Sequence, residues 1–186
     1  MQIRLASYLQ IDSIVDGPGI RTVIWTQGCK HNCPGCHNPS THSFEGGELV
    51  DVNDVIEAMD LLENQDGITF SGGDPFYQAK ECAYLAKHAH NIGLNVWCYT
   101  GFTYEQLMIL GKKDESILKF LNQIDVLVDG PFIMEKRSQS AKFKGSTNQR
   151  VIDVKKSLEE DKVILYYKEE ESIPNNFGRY NNNLYI

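Results

Sequence analysis

Apolar residues recur along the chain at two different spacings, and their alternation predicts strands interleaved with helices. Within residues 51–62, apolar side chains fall at positions 52, 55, 56, 59 and 62, which is helical spacing. Residues 21–27 are rich in β-branched and aromatic side chains, which indicates a buried strand. Further strands are predicted at residues 67–70, 94–99 and 124–128, and further helices at residues 76–92, 104–110 and 116–121. This alternating order favours a parallel sheet with helical crossovers.

Both ends of the chain add short elements to this pattern. Residues 2–14 predict an extra strand that returns through the turn Asp16-Gly17-Pro18-Gly19. Residues 151–154 and 163–167 predict short strands that flank a charged helix. The tail from about residue 168 is expected to be loosely held.

The length of the chain limits how the sheet can close. A closed barrel of eight β/α units takes about 250 residues, and this chain has 186. We therefore expect an α/β fold with a partial, open TIM-type β/α barrel. The sequence shows neither an internal repeat nor a clear linker, so one domain over residues 1–186 is expected.

Composition restricts the class of protein and its compartment. The chain is 41% hydrophobic and 23% charged, with a net charge of −7, which is typical of a globular domain. The acidic balance argues against nonspecific nucleic-acid binding, because that depends on lysine and arginine neutralising phosphates. No apolar run approaches the roughly 18 residues of a membrane helix, and the start lacks the features of a secretory signal. We expect a cytoplasmic protein that binds neither nucleic acid nor membranes.

Three of the five cysteines lie within eight residues, in the run Cys29-Lys30-His31-Asn32-Cys33-Pro34-Gly35-Cys36. An odd, clustered set argues against a secreted disulfide framework and favours a metal or redox site. A cubane iron–sulfur cluster usually takes four cysteines, so three would leave one iron with an open coordination position. The alternative is a zinc-stabilised binding module in which His31 or His37 is the fourth ligand. Cys82 and Cys98 fall in a predicted helix and a predicted strand, which indicates small core residues.

A second motif, Thr69-Phe70-Ser71-Gly72-Gly73-Asp74-Pro75, takes a predicted strand into a Gly-Gly turn followed by a carboxylate. Paired glycines let a ligand approach the main chain closely, and ligands bind at strand ends in α/β barrels. The motif also fits a plain strand-to-helix turn, with Asp74 near the N-terminus of the following helix. Thr100 ends a later predicted strand, and it either faces the same ligand or belongs to a simple Thr-Gly turn.

The CxxxCxxC run after one strand and the Gly-Gly-acidic turn after the next together resemble the radical S-adenosylmethionine enzymes. The resemblance implies one 4Fe-4S cluster, whose protein ligands are Cys29, Cys33 and Cys36. S-adenosylmethionine would chelate the fourth iron through its amino and carboxylate groups. The residues implied at the methionine end of that cofactor are Ser71, Gly72, Gly73 and Asp74. Asp74, where most of the superfamily has glutamate, would accept a hydrogen bond from the ammonium group.

The residues around the third cysteine depart from the wider superfamily. The position before that cysteine is often aromatic and packs on the adenine of the cofactor, but here it is Gly35. His37 follows Cys36 and either contacts the adenine or is a loop histidine bonded to the main chain. We take Gly35, Cys36 and His37 as candidate cofactor-binding residues, together with Thr100.

Further motifs narrow the resemblance to the activating enzymes of glycyl-radical proteins. Residues 16–21 (DGPGIR) and 27–29 (QGC) are elements that these enzymes share. Several motifs together are similar to one branch, the activating proteins of anaerobic ribonucleoside-triphosphate reductase; they lie at residues 33–39, 71–75, 99–101, 124–132 and 145–150.

That branch implies a radical oxidoreductase with two protein partners. A small one-electron donor such as flavodoxin would reduce the cluster, and S-adenosylmethionine would be cleaved to methionine and a 5′-deoxyadenosyl radical. The radical would take a hydrogen atom from a glycine of the large reductase subunit, so no side chain of this chain need act as acid, base or nucleophile. The alternative within the class is an activator of pyruvate formate-lyase or a related glycyl-radical enzyme, which shares the elements at residues 16–21 and 27–29.

Overall fold

One mixed sheet with helices packed against it forms the fold, and the computed structural model describes residues 1–167. The strands are β1 (Gln2–Leu5), β2 (Gln10–Ser13), β3 (Arg21–Thr26), β4 (Glu48–Asp51), β5 (Gly67–Gly72), β6 (Asn95–Tyr99), β7 (Val126–Asp129) and β8 (Arg150–Asp153). The α-helices are α1 (Val52–Asp60), α2 (Ala79–Asn91), α3 (Tyr104–Leu110), α4 (Glu115–Leu121) and α5 (Val154–Glu159). The predicted α/β class is confirmed. The tail predicted from about residue 168 lies outside the described residues.

The centre of the sheet is parallel, as the alternating pattern predicted. Strands β3, β5, β6 and β7 lie side by side in that order. Their register pairs Thr26 with Gly72 and Tyr99 with Val128. The carboxyl ends of these strands therefore meet at one edge of the sheet, where ligands bind in parallel α/β folds.

Antiparallel strands flank this parallel centre. Strand β8 pairs with β7, while β1 and β2 both pair with the other edge of β3, and β1 continues to β4. The order β4-β1-β3-β5-β6-β7-β8 gives the described sheet two ends. The strand predicted at residues 163–167 is wrong, because that segment makes only an isolated bridge from Leu165 to Ile152. Sequence analysis missed β4 and treated residues 2–14 as one strand.

The two faces of the sheet have different roles. Val96 and Cys98 face the main hydrophobic core, which they share with the buried residues of α1, α2 and α4. Trp97 and Tyr99, the alternate residues of β6, face the opposite side, in keeping with the period of two along a strand. Cys82 and Cys98 are buried in the core as predicted. Every helix within residues 1–167 is too short or too polar to cross a membrane.

Arg21 is a fully buried cation that anchors the Asp16–Gly19 turn to the sheet. Its guanidinium donates to the Thr69 hydroxyl at 2.6 Å and to the Pro18 carbonyl at 3.3 Å. Thr69 in turn donates to the Asp16 carbonyl at 2.7 Å. Burial lowers the pKa of Arg21 to about 10, so the side chain keeps its charge at neutral pH. The polar bonds, with the Trp97 ring 5.6 Å away, compensate for this buried charge.

Replacing this cation tests its structural role. We expect Arg21→Met to lower the free energy of unfolding by about 3 kcal/mol, because several buried acceptors lose a charged donor. Urea denaturation followed by circular dichroism in anoxic buffer measures the change. Lys87→Met, which removes an exposed cation from α2, is the control and should cost less than about 0.5 kcal/mol. Equal, small effects of the two substitutions would contradict the anchoring role.

Candidate functional site

A cavity of about 520 Å³ lies at the carboxyl ends of the parallel strands. Its volume falls in the range of about 300–1,000 Å³ that small-molecule sites occupy. The predicted site residues that line it are Cys29, Cys33, Cys36, His37, Ser71, Gly72, Gly73 and Thr100. Gly35 and Asp74 are not part of the lining. The fold thus brings most of the predicted site together from the end of β5 and from the segments that follow β3, β5 and β6.

The cysteine loop begins directly after β3 and is fixed at its start by the main chain. Gly28, at a φ of 104°, donates to the Thr41 carbonyl at 2.8 Å, and Cys29 donates from its main chain to the His42 carbonyl at 3.0 Å. All three cysteines of the run are free and half-buried. Burial raises the pKa of the Cys29 thiol. A positively charged iron centre would favour the thiolate that burial alone disfavours.

The donors at the site have the chemistry of an iron–sulfur cluster. Three half-buried thiols come from one short loop, and thiolates are the ligands that such clusters take. A zinc site would need a fourth donor, for which the sequence offers His31 or His37. The two candidate zinc histidines also have other contacts: His31 lies 2.7 Å from Asp74, and His37 lies against Phe132.

The Gly-Gly turn after β5 is joined to the cysteine loop through the main chain. Gly73 donates to the Thr26 carbonyl at 2.7 Å, and the Asp74 N–H donates to the Gly28 carbonyl at 2.9 Å. A Cβ atom at Gly73 would overlap the Gly28 carbonyl oxygen. Gly72 has a φ of 102°, a conformation that favours glycine. Both glycines are therefore needed for the close approach of the two motifs.

Asp74 is buried beneath the cavity. Its carboxylate accepts from the Phe76 N–H at 3.0 Å, from the Gly101 N–H at 2.9 Å and from the Thr100 hydroxyl at 2.8 Å. The Nε2 atom of His31 lies 2.7 Å from the same carboxylate. The same carboxylate caps the short 3₁₀ turn Pro75–Gln78 that precedes α2, which is the local part of the alternative interpretation. Its contact with the ammonium group of the cofactor stays a prediction.

Sequence analysis missed the role of Gly101 and considered His31 only as a zinc ligand. A Cβ atom at Gly101 would overlap the His31 ring, and the Phe102 ring meets the histidine edge-on at a centroid distance of 4.5 Å. The signal in the sequence was weak: a histidine midway between two cysteines, and a Thr-Gly pair at a strand end. Nothing in the sequence shows that these residues meet Asp74.

The segment after β7 forms a wall of the cavity beside the third cysteine. A Cβ atom at Gly35, where φ is 73°, would overlap the end of the Met134 side chain, and the Phe132 ring lies 4.8 Å from that of His37. The motif at residues 145–150 closes onto this wall, since Gln149 donates to the Gly130 carbonyl at 3.0 Å. This segment therefore lies beside the site.

Arg150 fixes the end of that loop to the strand ends. Its guanidinium bonds both oxygens of Glu105 at 3.0 and 2.8 Å and also bonds the buried Asp129. The hydrogen bonds from Arg150 lower the pKa of Glu105 to about 2. The Asp129 carboxylate accepts from the Tyr104 N–H at 2.8 Å as well. This network ties α3, β7 and β8 together at the edge of the cavity.

Comparison with known proteins places the site in a family. Residues 15–152 match the family described as a 4Fe-4S single cluster domain. The anaerobic ribonucleoside-triphosphate reductase-activating protein of Salmonella typhi is 34% identical over 157 residues, which cover 80% of this chain and 97% of the relative. The protein of the same name from Escherichia coli K12 is 31% identical, with 77% and 94% covered. That of enterobacteria phage T4 is 35% identical, with 74% and 86% covered.

Among solved structures, QueE from Escherichia coli aligns with a TM-score of 0.48 and 14% identity over 55% of this chain and 54% of that chain, a similarity too low to support an inference. The sequence relatives match along nearly their whole length, and the family match covers the loops that form the cavity. The chain belongs to the 4Fe-4S single cluster domain family and to the anaerobic ribonucleoside-triphosphate reductase-activating proteins.

Proposed function

We propose that this chain is a radical S-adenosylmethionine oxidoreductase that generates the glycyl radical on the large subunit of anaerobic ribonucleoside-triphosphate reductase. The observation that carries the proposal is the cavity itself, in which three free, half-buried cysteines face the Ser71-Gly72-Gly73 turn across the ends of parallel strands. The names of the full-length relatives support the choice of partner.

The proposed binding residues of the two cofactors come from the cysteine loop after β3, the Gly-Gly turn at the end of β5 and the residue after β6. Cys29, Cys33 and Cys36 are the proposed ligands of one 4Fe-4S cluster. The residues proposed to line the methionine end of S-adenosylmethionine are Ser71, Gly72, Gly73 and Thr100. Gly35 and His37 are proposed to border the adenine, since they lie against the wall formed by Phe132 and Met134. Bound there, the two cofactors would supply the one-electron chemistry that generates a glycyl radical on the reductase.

The chain itself provides orientation and exclusion of water rather than acid or base groups. The main-chain bonds between the two loops hold the cysteines and the Gly-Gly turn in fixed relative positions. A partial, open barrel would leave a lateral path by which a polypeptide segment of the reductase reaches the cavity. A small one-electron donor, such as flavodoxin, is the second proposed partner.

The three clustered cysteines should be required and the two core cysteines should not. We expect Cys33→Ala, and equally Cys29→Ala or Cys36→Ala, to lose most of the bound iron and acid-labile sulfide and to stop producing 5′-deoxyadenosine. Cys82→Ala and Cys98→Ala are matched controls, because both thiols are buried in the core away from the cavity lining. Normal 5′-deoxyadenosine production by Cys33→Ala would refute the ligand assignment.

The identity of the protein partner is tested by measuring which candidate protein acquires a glycyl radical. Reduced, cluster-loaded protein is incubated with S-adenosylmethionine and either the large reductase subunit or pyruvate formate-lyase, and electron paramagnetic resonance detects the glycyl radical. We expect the signal with the reductase alone. A signal only with pyruvate formate-lyase would identify the other activator, and stoichiometric zinc without iron in anoxic preparations would indicate a binding module instead.

A further inference from the structure

The four donors around Asp74 fill its capacity to accept hydrogen bonds. An ionised carboxylate accepts at about four lone-pair positions. The N–H groups of Phe76 and Gly101, the hydroxyl of Thr100 and the ring of His31 all lie within 3.0 Å of one of its two oxygens. The side chain is 1% exposed and lies outside the cavity lining. An ammonium group in the cavity would have to displace one of these four donors to reach it.

The hydrogen bond between His31 and Asp74 is supported by residues that pack against the histidine ring. A carboxylate cannot donate, so Nε2 of His31 carries the proton in the 2.7 Å contact. The histidine ring fills the space left by the absent side chain of Gly101, and Phe102 packs edge-on against it. The His31 side chain is only 17% exposed. The packing therefore orients the His31 ring toward Asp74, and the hydrogen bond keeps the ring in that orientation.

This contact reaches the part of the cysteine loop that has the least structure of its own. His31 stands two residues after Cys29 and two before Cys33. Within residues 30–36, the one described bond between main-chain groups runs from the Cys36 N–H to the Cys33 carbonyl at 3.1 Å. The His31–Asp74 pair thus joins the middle of the loop directly to the turn after β5, and through Thr100 and Gly101 to the end of β6.

On the basis of the function proposed above, we propose that Asp74 is a positioning residue that holds the cluster loop through His31, and that it is not a ligand of the methionine end of the cofactor. Three sulfur ligands keep a cluster only while the loop between them keeps its shape. Partners that orient the ligands of a metal site commonly change its affinity about ten- to a hundredfold when they are removed.

The rate at which iron leaves the loaded protein tests this proposal. Variants are reconstituted without oxygen, and the loss of iron to a chelator is followed by absorbance. Asp74→Asn keeps the size of the side chain but replaces one acceptor oxygen with an amide NH₂ group, which faces the hydrogen-bond donors around it. His31→Phe keeps an aromatic ring but removes the N–H group. Each should release iron about tenfold faster than the parent protein. His31→Gln, which retains a donor, should release iron at a rate closer to that of the parent.

The double variant shows whether Asp74 and His31 affect iron release through their shared contact or independently of each other. Because the two side chains act through one contact, Asp74→Asn with His31→Phe should release iron about as fast as Asp74→Asn alone. If the increase in the iron-release rate of the double variant equalled the product of the two single-variant increases, the proposal would be contradicted. Circular dichroism of each variant before reconstitution confirms folding. If Asp74→Asn fails to fold, the two His31 variants decide, and parental iron release by both of them would overturn the proposal.

A ligand of the cofactor would give a different result. Asp74→Asn would then keep its iron normally but need more S-adenosylmethionine to alter the electron paramagnetic resonance spectrum of the reduced cluster, and His31→Phe would behave as the parent. That pattern would overturn the proposal while leaving the proposed function intact. Failure of the parent protein to form a cluster, or to respond to S-adenosylmethionine, would refute both and would be seen before any variant is compared.

Discussion

The site depends on the main-chain hydrogen bonds that join the ends of β3 and β5. Gly73 and Asp74 donate from their N–H groups to the carbonyls of Thr26 and Gly28, at 2.7 and 2.9 Å. This approach is possible because residue 73 has no side chain, since a Cβ atom would overlap the Gly28 carbonyl. The cysteine run and the Gly-Gly-acidic turn, which are separate motifs in the sequence, are thereby one backbone unit. Main-chain bonds fix their relative position, and changes in side-chain rotamers cannot loosen it.

The centre of the fold was predictable because its strands are rich in β-branched and aromatic residues, which favour strands. Residues 21–26 (RTVIWT) show this, and the structure places β3 there. The flanks were less predictable because their structure comes from pairing partners distant in the sequence. Residues 48–51 form β4 by pairing with β1, with Val50 opposite Ile3. Residues 163–167 (VILYY) are more apolar than residues 48–51 (ELVD) but make a single bridge, so local pattern alone was misleading at both segments.

The candidate site was predictable where one short motif carries the chemistry and less so where the fold brings distant residues together. The cysteine run and the paired glycines could be recognised from spacing, and the structure places them around one cavity. The surroundings of Asp74 depend on the β5–β6 pairing, which brings Thr100 and Gly101 next to a residue more than twenty positions earlier. The contact of Phe132 with His37 likewise requires β7 to lie beside β6. Neither of these contacts can be predicted from the spacing of apolar residues along the chain.

The contacts around the carboxylate of residue 74 explain why it is an aspartate and not the longer glutamate. An aspartate side chain is short enough to accept from the N–H two residues ahead, here that of Phe76 at 3.0 Å, and so to cap the turn that Pro75 begins. That bond orients the carboxylate so that its other oxygen meets Gly101 and His31. A glutamate adds a methylene group and would carry the carboxylate out of the turn. The turn cap therefore also sets the orientation in which the Asp74 carboxylate meets Gly101 and His31.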